Sequence, residues 1–165
     1  MSVILALYPN ARGFGYACIE RATTNKAQKL LNSGTVNVRP MGNEKALKFV
    51  RKFTEYFKPE IVILRDYHKL TKRGERIQAL LKDIAKIAEE LNVPFYRYTR
   101  EQIRFTFEQY GATTKYQISQ KIIEAFPELA THSPRIRKVY ENEDYRMGRF
   151  DAIALATTHE YLGNS

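Results

Sequence analysis

Apolar residues follow two rhythms along this chain, one of strands and one of helices. Val3–Leu7 is a short apolar run stopped by Pro9-Asn10, the pattern of a buried strand. Phe14–Ile19 follows across a turn from Asn10 to Gly13 and predicts a paired second strand, with Gly13 and Gly15 supplying permissive backbone. Gly34–Arg39 alternates through Thr35, Val36, Asn37 and Val38, which predicts a third, half-exposed strand. Two hairpin-like connections in a row make these strands an antiparallel meander.

The period then changes. Ala46, Phe49, Val50, Phe53 and Phe57 recur at helical spacing, with Asn43 as the expected N-cap and Lys58-Pro59 as the stop. Ile61-Val62-Ile63-Leu64 is a bare apolar strand of the kind buried on both faces. Ile77, Leu80, Leu81, Ile84, Ile87, Ala88 and Leu91 form the wide stripe of a long helix ended by Asn92 and Pro94. Phe95–Tyr98 is the fifth strand. Thr99-x-x-Gln102 and Thr114-x-x-Gln117 are capping boxes that open two further helices, through about Glu108 and Phe126, and Pro127 ends the second. Residues 130–149 carry no apolar stripe and read as a basic, mobile loop. The last helix is expected from about Arg149 to Leu162, with Phe150, Ile153, Thr157 and Tyr161 on its stripe and Gly163 as its stop. The order β-β-β-α-β-α-β-α-α-α predicts an α/β domain built on a five-stranded mixed sheet, three antiparallel strands and then βαβ units, flanked by helices.

Composition narrows the class. The 165 residues fit a single domain spanning 1–165, with 44% hydrophobic residues to fill a core. No apolar run approaches the ~18–20 residues of a membrane span. The opening residues read as a strand rather than a secretory signal, so a cytoplasmic protein away from membranes is expected. A single cysteine, Cys18, excludes an internal disulfide and a zinc site of paired cysteines; it reads as a small core residue. His68, His132 and His159 share no ligand spacing. The chain carries 27 Lys and Arg against 18 Asp and Glu, a net charge of +9, which favours a polyanionic partner.

Specific stretches carry a family likeness. Pro94-Phe95-Tyr96-Arg97-Tyr98-Thr99-Arg100-Glu101-Gln102-Ile103 is followed by Gly111-Ala112-Thr113-Thr114-Lys115-Tyr116-Gln117-Ile118. Ile4–Pro9, Ser33–Val36, Lys58–Ile63 and Asp151–His159, with its Thr-His end, occur in matching order around them. Together they resemble the RuvC-type Holliday junction resolvases, nucleases of RNase H-like fold, over nearly the whole chain. The resemblance implies an RNase H-like sheet, a homodimer, branched DNA as partner, and phosphodiester hydrolysis by two magnesium ions held by four acids.

At three of those four positions this sequence departs from the family. Tyr8 stands at the first, Arg65 at the second and Gly148 at the third; Asp151 alone is retained. A phenol with an ordinary pKa near ~10 is a poor magnesium ligand, and Arg65 is a permanent cation. The chain has only four aspartates, Asp66, Asp83, Asp144 and Asp151. Asp66 is the one neighbour able to substitute, by swinging inward at the strand end. The reading is therefore of a degenerate site with no catalytic residue or metal ligand assigned, in which either Arg65 pairs with Asp151 in place of metals or Asp151 caps or solvates its helix.

The resemblance also places Lys115 at a basic position in the first turn of a helix, where an ammonium and backbone N–H groups can meet a phosphate. Arg100 and Arg104 are spaced to form one cationic face. Lys69, Lys72, Arg73 and Arg76 cluster after the fourth strand beside Tyr67, whose ring either stacks on an unpaired base or packs beneath the loop. Arg135, Arg137, Lys138, Arg146 and Arg149 are either a DNA-contacting flap or a solvated charge run. Three functions stay open: a non-cleaving domain binding branched or structured DNA, needing no cofactor; a magnesium-dependent endonuclease using Asp66 and Asp151; and a protein-interaction module on the same scaffold.

Overall fold

The computed structural model describes residues 2–38, 42–67, 72–136 and 146–163, apart from the side chains of Lys72 and Arg73. Lys69, His68, Arg137, Lys138 and Asp144 lie outside the described residues. Among the described residues the elements are β1 (Val3–Pro9), β2 (Gly13–Glu20), β3 (Lys29–Asn37), α1 (Asn43–Phe57), β4 (Ile61–Arg65), α2 (Lys72–Glu90), β5 (Phe95–Tyr98), α3 (Arg100–Glu108), α4 (Lys115–Ala125), a 3-10 turn (Pro127–His132) and α5 (Met147–Leu162).

The strands lie in the order β3-β2-β1-β4-β5. β1 pairs antiparallel with β2, and β2 with β3. β1 pairs parallel with β4, and β4 with β5. This is the expected five-stranded mixed sheet. β1 is its central strand and every one of its residues is buried, which explains why its sequence is apolar without alternation.

Strand alternation divides the core into two layers. Val3, Leu5, Leu7, Val62 and Leu64 face α1 and α2. Ile4, Ala6, Tyr8, Ile61 and Ile63 face the other way, onto α5 and the helices α3 and α4 that cover it. α5 is therefore buried on almost every side, from Met147 through Ala156 and at Thr158 and His159, with Arg149 and Thr157 half-buried. Tyr161, expected on its stripe, is 45% exposed, its ring beside the exposed Phe105 of α3.

Three local expectations are corrected. Asn43 does not cap α1: Gly42 occupies the cap position with φ 70°, and no side chain caps the helix. The Asn43 side chain instead exchanges hydrogen bonds with Arg76, its Nδ2 donating to the Arg76 carbonyl at 3.0 Å and its Oδ1 accepting from the guanidinium at 3.1 Å. β3 begins at Lys29, five residues before the expected start at Gly34. Residues 127–132, which follow the Pro127 stop, wind into a 3-10 turn. No helix among the described residues is long and apolar enough to cross a membrane.

Candidate functional site

The four positions singled out by sequence meet at one end of β1. Tyr8 is the penultimate residue of that strand and faces α5. Arg65 ends β4, one step beyond the Leu7–Leu64 pair, and alternation puts it on the same face as Tyr8. Gly15 is the cross-strand partner of Tyr8 on β2, and Gly148, in the first turn of α5, rests directly on Gly15. A Cβ added to Gly15 would fall 1.9 Å from the Gly148 carbonyl oxygen. The two glycines let the start of α5 settle onto the sheet at backbone contact. One turn further along, Asp151 is 5% exposed.

Lys115, in the first turn of α4, reaches that carboxylate, with its Nζ 3.2 Å from Asp151 Oδ2. The same ammonium lies 5.5 Å from the centre of the Tyr8 ring. Arg65 does something different from what the sequence suggested. Its guanidinium donates to the Pro9 carbonyl at 2.8 Å and is held between two aromatic faces, 4.3 Å from the Tyr8 ring and 4.5 Å from the Tyr67 ring. The expected Arg65–Asp151 pair is thus replaced by Lys115–Asp151. A guanidinium stacks well on a phenol face and reaches a strand carbonyl from the strand end, whereas the lysine comes down from the helix packed over Asp151.

Tyr8 reports the electrostatics of this cleft. Burial raises the pKa of its phenol, and the Asp151 charge raises it further, while Lys115, Arg65 and Arg100 pull it down in that order. Tyr8 therefore stands as a neutral phenol. Asp66 lies one residue past the strand end, where its backbone N–H donates to the Tyr98 carbonyl at 2.7 Å.

The other predicted residues separate into groups. Arg100 opens α3 and its charge acts on Tyr8; Arg104, one turn on, is exposed. Tyr67 is half-buried, stacked on Arg65 and packed against the α1/α2 layer. Lys72 and Arg73 lie in the first turn of α2. Arg76 was grouped with them by sequence, yet its guanidinium is a fastener: besides Asn43 it donates to the Asn10 carbonyl at 2.7 Å. With Arg65 on Pro9, two guanidiniums hold the β1–β2 turn, one from the end of β4 and one from α2. Both capping boxes form as expected, Thr99 and Thr114 each accepting from the backbone N–H three residues on. They fix where α3 and α4 begin, and hence where Arg100 and Lys115 stand. Cys18 is fully buried, and burial pushes its thiol up to about 12.

Sequence reasoning missed Lys115–Asp151, whose partners are 36 residues apart, and a buried pair at the far end of α5. There the Tyr98 hydroxyl and His159 Nδ1 share a hydrogen bond at 2.7 Å, with Tyr96 against the imidazole. Burial lowers the His159 pKa, opposed by Glu160 and reinforced by Arg21.

Two magnesium ions do not fit the residues present. Hard cations need several oxygen ligands, most of them carboxylates. Among the described residues the cleft offers one carboxylate already facing an ammonium, a phenol, a guanidinium and a glycine with no donor atom. No group of three or more His, Cys, Asp or Glu side chains able to hold a metal occurs among the described residues.

No family model matches the sequence, and no curated protein does. Solved structures do. Thermus thermophilus RuvC in complex with a Holliday junction substrate superposes with a TM-score of 0.74 at 17% identity, covering 99% of this chain and 95% of that one. A second Thermus thermophilus RuvC structure gives 0.70 at 16%, over 98% and 95%. The fold is that of the RuvC-type resolvases. The yeast mitochondrial Holliday junction resolvase Ydc2 shares it more distantly, with a TM-score of 0.64 at 13% identity over 95% of this chain and 77% of that one. Within the RuvC-type fold, the cleft described above lies where the end of β1, the end of β4 and the start of α5 converge.

Proposed function

We propose that this chain is a RuvC-like nucleic-acid-binding domain that holds branched DNA, as a homodimer, without cutting it. The observation that carries the reading is the Lys115–Asp151 pair, with Nζ 3.2 Å from the one carboxylate among the described residues whose charge acts on Tyr8. An ammonium set against that carboxylate stands where a divalent ion would need several. Arg65 adds a second fixed charge of the same sign, which a divalent cation would have to approach against repulsion. The net charge of +9 supports a nucleic-acid partner. The likeness to a resolvase seen with a Holliday junction favours a branched one.

Fluorescence anisotropy with a labelled four-way DNA junction and a duplex of the same length tests this reading. The expected result is preferential binding of the junction with an affinity that falls steeply with salt, and an intact junction after incubation with magnesium or manganese. Magnesium-dependent nicking lost in Asp151→Asn would favour the endonuclease reading. Absence of binding at low salt would favour a protein-interaction module.

A further inference from the structure

The cations of this cleft face the same place and outnumber its anion. Arg65, Lys115 and Arg100 all act on the Tyr8 phenol, and among the described residues Asp151 is the carboxylate that opposes them. Among the described residues, one anion and three cations act on this buried ring. They come from three separate elements, the end of β4 and the first turns of α4 and α3. A surface charge run would not have this geometry. The guanidinium of Arg65 is held in place by Pro9, Tyr8 and Tyr67, so little side-chain entropy remains to be lost when it meets a ligand.

Resting on the reading of the chain as a binder of branched DNA, we propose that this cleft itself binds a backbone phosphate of the nucleic acid directly, through Arg65 and Lys115, with no metal ion between. The ligand class is a phosphodiester oxyanion. Arg65 presents a rigid planar fork suited to two phosphate oxygens. Lys115 turns from Asp151 toward the incoming anion, or bridges both, since its side chain is 29% exposed and has access to solvent. Asp151 limits the affinity: its negative charge competes with the phosphate for Lys115. The roles are thereby reversed relative to a metal site, in which a carboxylate is indispensable for holding substrate and a nearby cation is a hindrance.

That reversal makes the test sharp. Four-way junction affinity is measured across a salt series in EDTA for the wild type, Arg65→Met, Arg65→Lys and Asp151→Asn, with thermal melts to confirm folding. Arg65→Met is expected to weaken binding about tenfold, the scale of one charge-assisted hydrogen-bonded contact, and to reduce the salt slope by about one unit. Arg65→Lys retains part of the affinity. Asp151→Asn is expected to tighten binding several-fold, a gain that a misfolded variant cannot produce. If the wild type binds the junction while Arg65→Met and Asp151→Asn leave affinity and slope unchanged, the cleft is not a phosphate site, and the broader reading survives. If the wild type does not bind, the broader reading fails and this inference fails with it.

Discussion

Asp151 keeps a carboxylate at 5% exposure because an ammonium lies 3.2 Å from it. Removing one member of such a pair leaves the other poorly compensated in a region of low dielectric. Lys115→Met is therefore expected to destabilise the fold by about 1–2 kcal/mol, a value discounted for the partial exposure of the lysine. The double variant Lys115→Met/Asp151→Asn should recover most of the loss, and urea unfolding of the three proteins measures both. At the other end of α5, His159 has its pKa lowered mainly by burial beside Tyr98. A folded pKa below the ordinary 6.5 means that the unfolded chain takes up the proton first. The stabilisation is complete above about pH 6.5 and is lost as pH falls through the lower folded value. His159→Gln should accordingly flatten the acid limb of the melting temperature against pH, as followed by circular dichroism. At this scale the sequence was legible where chemistry is local. Tyr8, Arg65, Gly148 and Asp151 were readable as positions of one site, and they converge at the end of β1. Which cation meets Asp151 was not, because Lys115 and Arg65 are both one chain crossing away and only the packing of α4 over α5 chooses between them.

The helix starts set the site, and their sequence signals were local enough to read. Thr99-x-x-Gln102 and Thr114-x-x-Gln117 form reciprocal capping boxes as written in the chain. Thr114→Ala should cost about 1 kcal/mol of stability and loosen the position of Lys115, to be measured by chemical denaturation and junction binding together. Gly15 has a harder constraint: its missing Cβ is the space taken by the Gly148 carbonyl. Gly15→Ala should lower stability by roughly 3 kcal/mol or more through overpacking against backbone, visible as a fall in melting temperature. The elements that were misread have a common cause. The first part of β3, Lys29 to Asn32, is an almost wholly exposed strand at the sheet edge, so burial imposes no apolar alternation on it. Asn43 has the composition of a cap, but Arg76 claims its side chain from a neighbouring helix, which no spacing in the sequence announces.

For the whole molecule, the mixed sheet was legible as a meander followed by βαβ units, while the spatial strand order and the two core layers are set by pairing and packing. β1 and β4, buried on both faces, declared the centre of the sheet. The outcome is a RuvC-type fold whose cleft is filled by the protein's own cations. A chain of net charge +9 should lose junction affinity steeply between low and moderate salt, and sedimentation at binding concentrations should show a dimer if two clefts engage one junction. The most direct test is a denaturing gel of a labelled four-way junction saturated with the protein in manganese. The account predicts full-length strands only, in the wild type and in Asp151→Asn alike. Discrete nicks in the wild type that vanish in Asp151→Asn would contradict it.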